Sequence, residues 1–266
     1  MSSKKSGGLN FTSIFPYIAI PVALVVGVLI YMYALGNPSN FEGNDPVLGH
    51  PHNLMGTVYK GGYIVPCLIA VNIIVITFFF ERLISLIQSR GNGSVDKFIH
   101  NVRHLLNNGK IDDAIAACNK QKGSVGAVMR AGLEKYKALS NEPNMDKESK
   151  VTALKQELEE ATSLELPMLS KNLVVLSTCA SLGVLIGLLG TVSGMIKSFQ
   201  AMSAGVPDPA QLSIGISEAL VNTFLGILAS AIAILLFNFF SNRIDQLTYG
   251  IDEAGFSVAQ TFAAKH

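Results

Sequence analysis

Apolar and polar residues are segregated along this chain into long blocks. Ile14–Leu35, Tyr63–Phe80, Asn172–Ile196 and Ala219–Asn242 are four nearly charge-free apolar runs. Each is close to the ~20 residues that a helix needs to cross a hydrocarbon core about 30 Å thick. Charges mark their ends. Glu81-Arg82 closes the second run, Lys171 and Lys197 bound the third, and Glu218 and Arg243 bound the fourth. Between the second and third runs the pattern becomes amphipathic. Val95, Phe98, Ile99, Val102, Leu105 and Leu106 recur at helical spacing, Ile111–Cys118 repeats this after Gly109, and Val125–Leu139 forms a third stretch. Asn141–Asn144, with Pro143, reads as a turn. Val151–Leu169 is predicted to be a helix that runs into the third apolar run, interrupted or bent near Pro167. The fourth run is predicted to continue toward Tyr249. Pro16 and Pro21 are read as lying near the start of the first helix, where proline is tolerated. The pattern predicts an all-α polytopic membrane protein with four transmembrane helices and long helices extending into the cytoplasm.

Composition agrees: 49% of the 266 residues are hydrophobic, only 15% are charged, and mean hydropathy is +0.40. The distribution of charge says more than the net value of +1. Residues 88–170 hold twelve of the 20 lysines and arginines, the segment 36–62 holds only Lys60, and 201–213 holds none. The positive-inside rule therefore places 88–170 and both termini in the cytoplasm. The loop 36–62 and the link near Pro207-Asp208-Pro209 are placed outside. The expected organisation is a tail at 1–13, an extra transmembrane helix at 14–35 and a periplasmic loop at 36–62. A transmembrane helix at 63–87 and a cytoplasmic helical region at 88–170 come next. A pair of transmembrane helices at 171–245 and a tail at 246–266 complete it. The first run comes after Lys4 and Lys5 but is longer than a signal-peptide core, so it is read as a retained helix. Tyr17, Tyr31, Tyr33 and Tyr63 near segment ends suit the membrane interface. Cys67, Cys118 and Cys179 are scattered and read as small buried hydrophobes.

The third run departs from a plain anchor. Gly183, Gly187, Gly190, Thr191, Ser193 and Gly194 stand where a lipid-facing helix would carry Leu and Ile. Small residues at this spacing let helix backbones approach closely. Thr191 has two readings: a hydroxyl bonded back to its own helix carbonyl, or a pore-lining hydroxyl. In the fourth run, Glu218 is either a boundary charge or a functional carboxylate, and Asn222 and Thr223 come after it within an apolar stretch. On a helical wheel Glu218 and Asn222 lie about 40° apart, and Glu218 and Thr223 about 140° apart, so the last two do not share a face. Lys197 reads as a snorkelling residue or a gate, and Glu81-Arg82 as a boundary pair. His50 and His52 lack a third ligand for a metal. The mixed charges argue against nucleic-acid binding. There is no phosphate-binding loop, nucleotide fingerprint or nucleophile–base pattern, so the sequence points to no enzyme and implies no cofactor.

Gly187-Leu-Leu-Gly-Thr-Val-Ser-Gly-Met195 followed by Ser198-Phe199 resembles a motif of the MotA/TolQ/ExbB proton-channel family. Glu218-Ala-Leu-Val-Asn-Thr-Phe-Leu-Gly226 is similar to its second motif, and Gly109–Cys118 to a helical hairpin of its ExbB and TolQ branches. The resemblance covers roughly residues 63–245, and the ExbB branch fits best. Four features depart from the pattern: the extra first helix, Phe224 in place of a common Ala, Ser230 in place of a common Pro, and the lack of a proline in Ser181–Leu185. The resemblance implies a homopentamer in a bacterial inner membrane, whose third and fourth spans ring the single helices of an ExbD-like dimer carrying an intramembrane aspartate. Thr191, Thr223 and Glu218 would form the ion pathway, and Gly187, Gly190, Gly194, Asn222 and Gly226 would pack the helices and line the pore. A TonB-like protein would receive the work and drive outer-membrane transport. Membrane lipids are the remaining partner, and proton or sodium could be the coupling ion. Two alternatives are a TolQ-like or motor-stator subunit with another load, and a non-conducting scaffold.

Overall fold

The computed structural model describes residues 11–46, 49–203 and 209–265. The predicted link at Pro207-Asp208 and the tail before residue 11 lie outside them. Helices occupy Phe11–Leu29 (α1), Leu54–Tyr59 (α2), Val65–Arg90 (α3), Val95–Asn107 (α4), Ile111–Gln121 (α5), Gly123–Ser140 (α6), Lys147–Ser170 (α7), Leu173–Ser203 (α8) and Pro209–Lys265 (α9). No strand occurs among the described residues. Four of the helical segments are long and apolar enough to cross a membrane. With 57 residues against the ~20 that a span requires, α9 continues well past the predicted Tyr249.

The chain divides into two compact units. One comprises Met1–Phe80 and Val174–Phe237. In it α1 leaves most of its apolar side chains exposed, including Tyr17, Val22, Val25 and Leu29. Gly27 meets the second span, and a Cβ there would come within 2.7 Å of the Pro66 carbonyl oxygen. Pro16 and Pro21 fall inside α1 rather than in its first turn, because the helix begins at Phe11. A π-helical turn at Ile30–Leu35 closes this segment, and the Gly36 N–H bonds the Tyr31 carbonyl at 2.9 Å. The next loop is ordered around Asn40. Its amide donates to the Ala34 and Leu35 carbonyls at 2.9 and 3.0 Å and accepts from Asn53 at 3.0 Å. These bonds serve carbonyls that the helix end leaves free. Tyr31 stacks on Tyr59 with ring centroids 4.6 Å apart.

The second unit comprises Glu81–Leu173 and Asn238–His266. The amphipathic faces read from the sequence meet here. Phe98, Val102, Leu106, Cys118, Met129, Leu133, Leu154, Leu158, Ile251 and Phe262 share one core. Tyr136 packs edge-on against Phe262 at 4.7 Å. The turn between α4 and α5 needs Gly109, whose φ of +73° is unfavourable for residues with a Cβ. Pro167 neither ends nor divides α7; the break falls at Lys171–Asn172, where Asn172 takes φ +63°. Asparagine tolerates the left-handed region better than most residues. Side chains fix this break. Arg82 Nη1 donates to the Leu169 carbonyl at 3.3 Å and Asn172 Nδ2 to Glu81 at 3.2 Å. Glu81-Arg82 is thus no solvated boundary pair: Arg82 is buried and its Nε lies 2.6 Å from Glu81. Cys118 and Cys179 are buried as expected, whereas Cys67 is exposed because it lies on the outward face of α3.

Candidate functional site

Helices α8 and α9 run against each other along a seam of small residues within the first unit. On α8 the seam runs through Gly183, Gly187, Gly190 and Gly194; on α9 it runs through Gly215, Ala219, Asn222, Gly226 and Ser230. Steps of three and four residues keep each set on one face. A Cβ at Gly183 would come 2.8 Å from the Gly226 carbonyl oxygen, and one at Gly194 would come 2.8 Å from the Ala219 nitrogen. A Cβ at Gly190 would strike the side chain of Asn222. Ser198 Oγ donates toward the Gly194 and Leu212 carbonyls at 3.1 and 3.3 Å, and Ser230 Oγ bonds the Ala180 carbonyl. The close approach leaves no space for larger side chains.

Thr191 and Thr223 lie beside this seam. Their hydroxyls meet across the two helices, and each also reaches back to its own helix: Thr191 to the Gly187 carbonyl at 3.2 Å, Thr223 to the Ala219 carbonyl at 3.0 Å. Thr191 thus makes the back-bond to its own helix and also meets Thr223. Two hydroxyls carry two protons for these three contacts, so one contact always lacks a donor. Leu188, Val192, Leu220 and Phe224 around the pair are exposed on this chain. A hydroxyl pair short of one proton within an apolar surface is suited to receiving a donor, such as water or a protonated carboxyl group.

Glu218 and Asn222 are both buried, as their 40° separation suggested. Asn222 Nδ2 donates to the Gly61 carbonyl at 2.8 Å, and its Oδ1 is buried without a hydrogen-bond partner. Turning the amide over would set two oxygens against each other, so the orphan acceptor cannot be relieved that way. Both carboxylate oxygens of Glu218 accept from Lys197 Nζ at 2.7 Å. Lys197 is thus paired rather than snorkelling. Its Nζ also sits 5.3 Å over the ring of Tyr63, and the Tyr63 hydroxyl lies 3.1 Å from Ser193 Oγ. Gly62 closes the other side of Glu218 with φ +79°, a conformation that glycine adopts without penalty. Glu218 and Thr223 are five residues apart, about 7.5 Å along the axis, so the structure leaves them as two separate groups. Sequence reasoning singled out Lys197 and Tyr63 but missed that they and Gly62 surround Glu218. One signal was available: Lys197 and Glu218 are opposite charges bounding the third and fourth runs at the same predicted membrane face.

Among the described residues no group of three or more His, Cys, Asp or Glu is placed to hold a metal ion. Residues 120–253 match the model of the MotA/TolQ/ExbB proton channel family. The chain is 44% identical over 89 residues to a putative biopolymer transport protein ExbB-like 3 of Synechocystis, covering 32% of this chain and 42% of that one. It is 31% identical over 124 residues to the Tol-Pal system protein TolQ of Pseudomonas aeruginosa, covering 46% and 54%. It is 26% identical over 144 residues to the biopolymer transport protein ExbB of Pseudomonas putida, covering 54% and 43%. The chain thus spans about half the length of the curated relatives it matches. With half of its residues matched by the family model, and with four apolar helices of membrane-spanning length, this multi-pass membrane protein belongs to the MotA/TolQ/ExbB proton channel family.

Proposed function

We propose that this chain is the proton-conducting stator subunit of an energy-transducing complex in a bacterial inner membrane. It converts proton flow into mechanical work for TonB-dependent outer-membrane transport. The observation that carries this reading is the Thr191–Thr223 hydroxyl pair, set in an apolar surface. A carboxylate in a bilayer is costly unless it is solvated or protonated. The proton-deficient hydroxyls are suited to meet the intramembrane aspartate of an ExbD-like single-span partner. The exposed apolar faces of α8 and α9 are then covered by neighbouring copies in a homopentamer and by two partner helices at its centre. Lipids cover α1. One charge crossing 100 mV releases about 2.3 kcal/mol, so a few protons per step exceed thermal energy several-fold. The lysine- and arginine-rich 88–170 segment supports cytoplasmic termini and a periplasmic loop at 36–62. Glu218 stands at the outer mouth, and the 171–245 helix pair forms the inner ring. Its chemistry is ion transfer, with no enzyme activity and no cofactor.

A second reading keeps the ion pathway and changes the load. The chain is similar to a TolQ relative as well as to ExbB and ExbB-like ones, which supports a Tol-Pal-type complex as this second reading. Co-purification with native membrane partners, followed by native mass spectrometry, tests both readings. A five-to-two complex with a single-span protein bearing an intramembrane carboxylate is expected, and the identity of a third component names the load. A lone oligomer, or a partner lacking that carboxylate, would sink the stator and leave a scaffold held by its glycine seam. Thr191→Val and Thr223→Val should abolish energised work with normal assembly; unimpaired work in both variants would count against conduction.

A further inference from the structure

Lys197 is a charged group that the proposed pathway leaves without a task. Its ammonium lies 2.7 Å from both oxygens of Glu218, yet the pair is unequal: the glutamate side chain is 3% exposed and the lysine 45%. The backbone at Gly62 walls the carboxylate, since a Cβ there would come within 2.6 Å of its Oε1. The lysine side of the pair is the side that opens. The Tyr63 ring, itself exposed, lies beneath the ammonium, with its hydroxyl on Ser193. Tyr31, whose hydroxyl donates to the Tyr59 carbonyl at 3.1 Å, also feels the Glu218 charge.

We propose that Lys197 is a positioning residue that gates Glu218, making proton uptake and proton release alternate with the swing of one side chain. This rests on the conduction reading above. With the ammonium in place, the carboxylate is paired and its exposed side is blocked. When the ammonium swings outward, the buried carboxylate loses its counter-charge and takes a proton from hydronium, giving a neutral carboxyl group and water. When the ammonium returns, the ionised carboxylate is again favoured. The proton then leaves to a water on the Thr223 side, regenerating hydronium. Water must bridge the axial distance of about 7.5 Å from Glu218 to Thr223. A lysine suits this task because a long flexible stem can hold or withdraw a point charge.

The test has two arms, using Lys197→Met, Lys197→Arg, Glu218→Gln and the double variant Lys197→Met/Glu218→Gln. The first is infrared spectroscopy on the purified full-length chain. Lys197→Met is expected to show the C=O stretch of a protonated carboxyl group that is missing from wild type and from the double variant. Absence of that band overturns the pairing. The second arm is proton flux into vesicles containing the native complex and a trapped pH dye. Lys197→Met should lose about tenfold or more in flux, Lys197→Arg should stay within about threefold, and the double variant should be no slower than Glu218→Gln because both act through one carboxylate. Wild-type flux in Lys197→Met, or additive losses in the double variant, overturns the gate. A wild-type complex that passes no protons, or Glu218→Gln at full rate, sinks the conduction reading instead, while the infrared arm still judges the pair. If Lys197→Met fails to fold, Lys197→Gln replaces it; failure of both to fold overturns gating in favour of a structural clamp.

Discussion

Gly190→Ala puts a single methyl group into the tightest part of the α8–α9 seam. Its Cβ would lie 2.6 Å from Asn222 Cγ and 2.7 Å from Nδ2. Asn222 is fully buried and anchored to the Gly61 carbonyl, so it has little room to withdraw. Three effects compete. Overpacking costs about 1–3 kcal/mol. Losing the Asn222–Gly61 hydrogen bond costs about 0.6–1.7 kcal/mol within a membrane protein. Replacing glycine by alanine in a helix returns about 0.5–1 kcal/mol. The sum is a net loss of about 1–4 kcal/mol, with the clash dominant. Gly250→Ala is the matched control in α9: its Cβ would meet only Val95 Cγ1, at an ordinary 3.6 Å, so the helix term should prevail and stability hold or rise. Unfolding in mixed micelles with increasing denaturing detergent, followed by circular dichroism, reads both. Gly190→Ala combined with Asn222→Gly should recover part of the loss, because the nearest obstacle is the Asn222 Cβ, which glycine removes together with the orphan acceptor. A Gly190→Ala protein as stable as wild type, or a double variant whose losses simply add, would refute the close-packing argument.

Arg82→Ala should destabilise by about 3–5 kcal/mol by leaving Glu81 unpaired in a largely buried place, and removing both charges should cost less than removing Arg82 alone; the same unfolding assay decides. Burial pushes the Cys118 thiol up from its ordinary value of 9.0 to about 12. The folded chain therefore keeps a proton that the unfolded chain releases between pH 9 and 12, and stability falls as pH rises through that window. The slope is about 1.4 kcal/mol per pH unit for one proton, and Cys118→Ala should remove that contribution in stability measurements across alkaline pH. Gly132→Val should unfold the second unit's core around Leu158, since even a Cβ there meets the Leu158 side chain; loss of protease resistance in the 88–170 segment reports it, and an intact segment would contradict the packing.

The sequence by itself determined the features that local rules dictate. Four charge-free runs can cross a bilayer, and helical periodicity located α4 at Val95–Asn107, because spacing along a chain fixes which residues share a face. The two glycine- and threonine-bearing motifs marked the family and the pair Thr191 and Thr223. The tertiary structure alone decided the features that depend on distance between residues remote in sequence. The break expected near Pro167 falls at Asn172, because a helix can absorb a proline while side chains from α3 hold the later turn. The glycines of α8 acquire their meaning from where α9 lies, opposite Asn222 and Gly226. Lys197 read alone is a boundary charge. Twenty-one residues separate it from Glu218 along the chain, and the antiparallel return of α9 turns the two into an ion pair with a buried carboxylate. A local pattern records burial but not partners, since an ion pair or a close contact is fixed by two positions whose separation only the folded backbone sets.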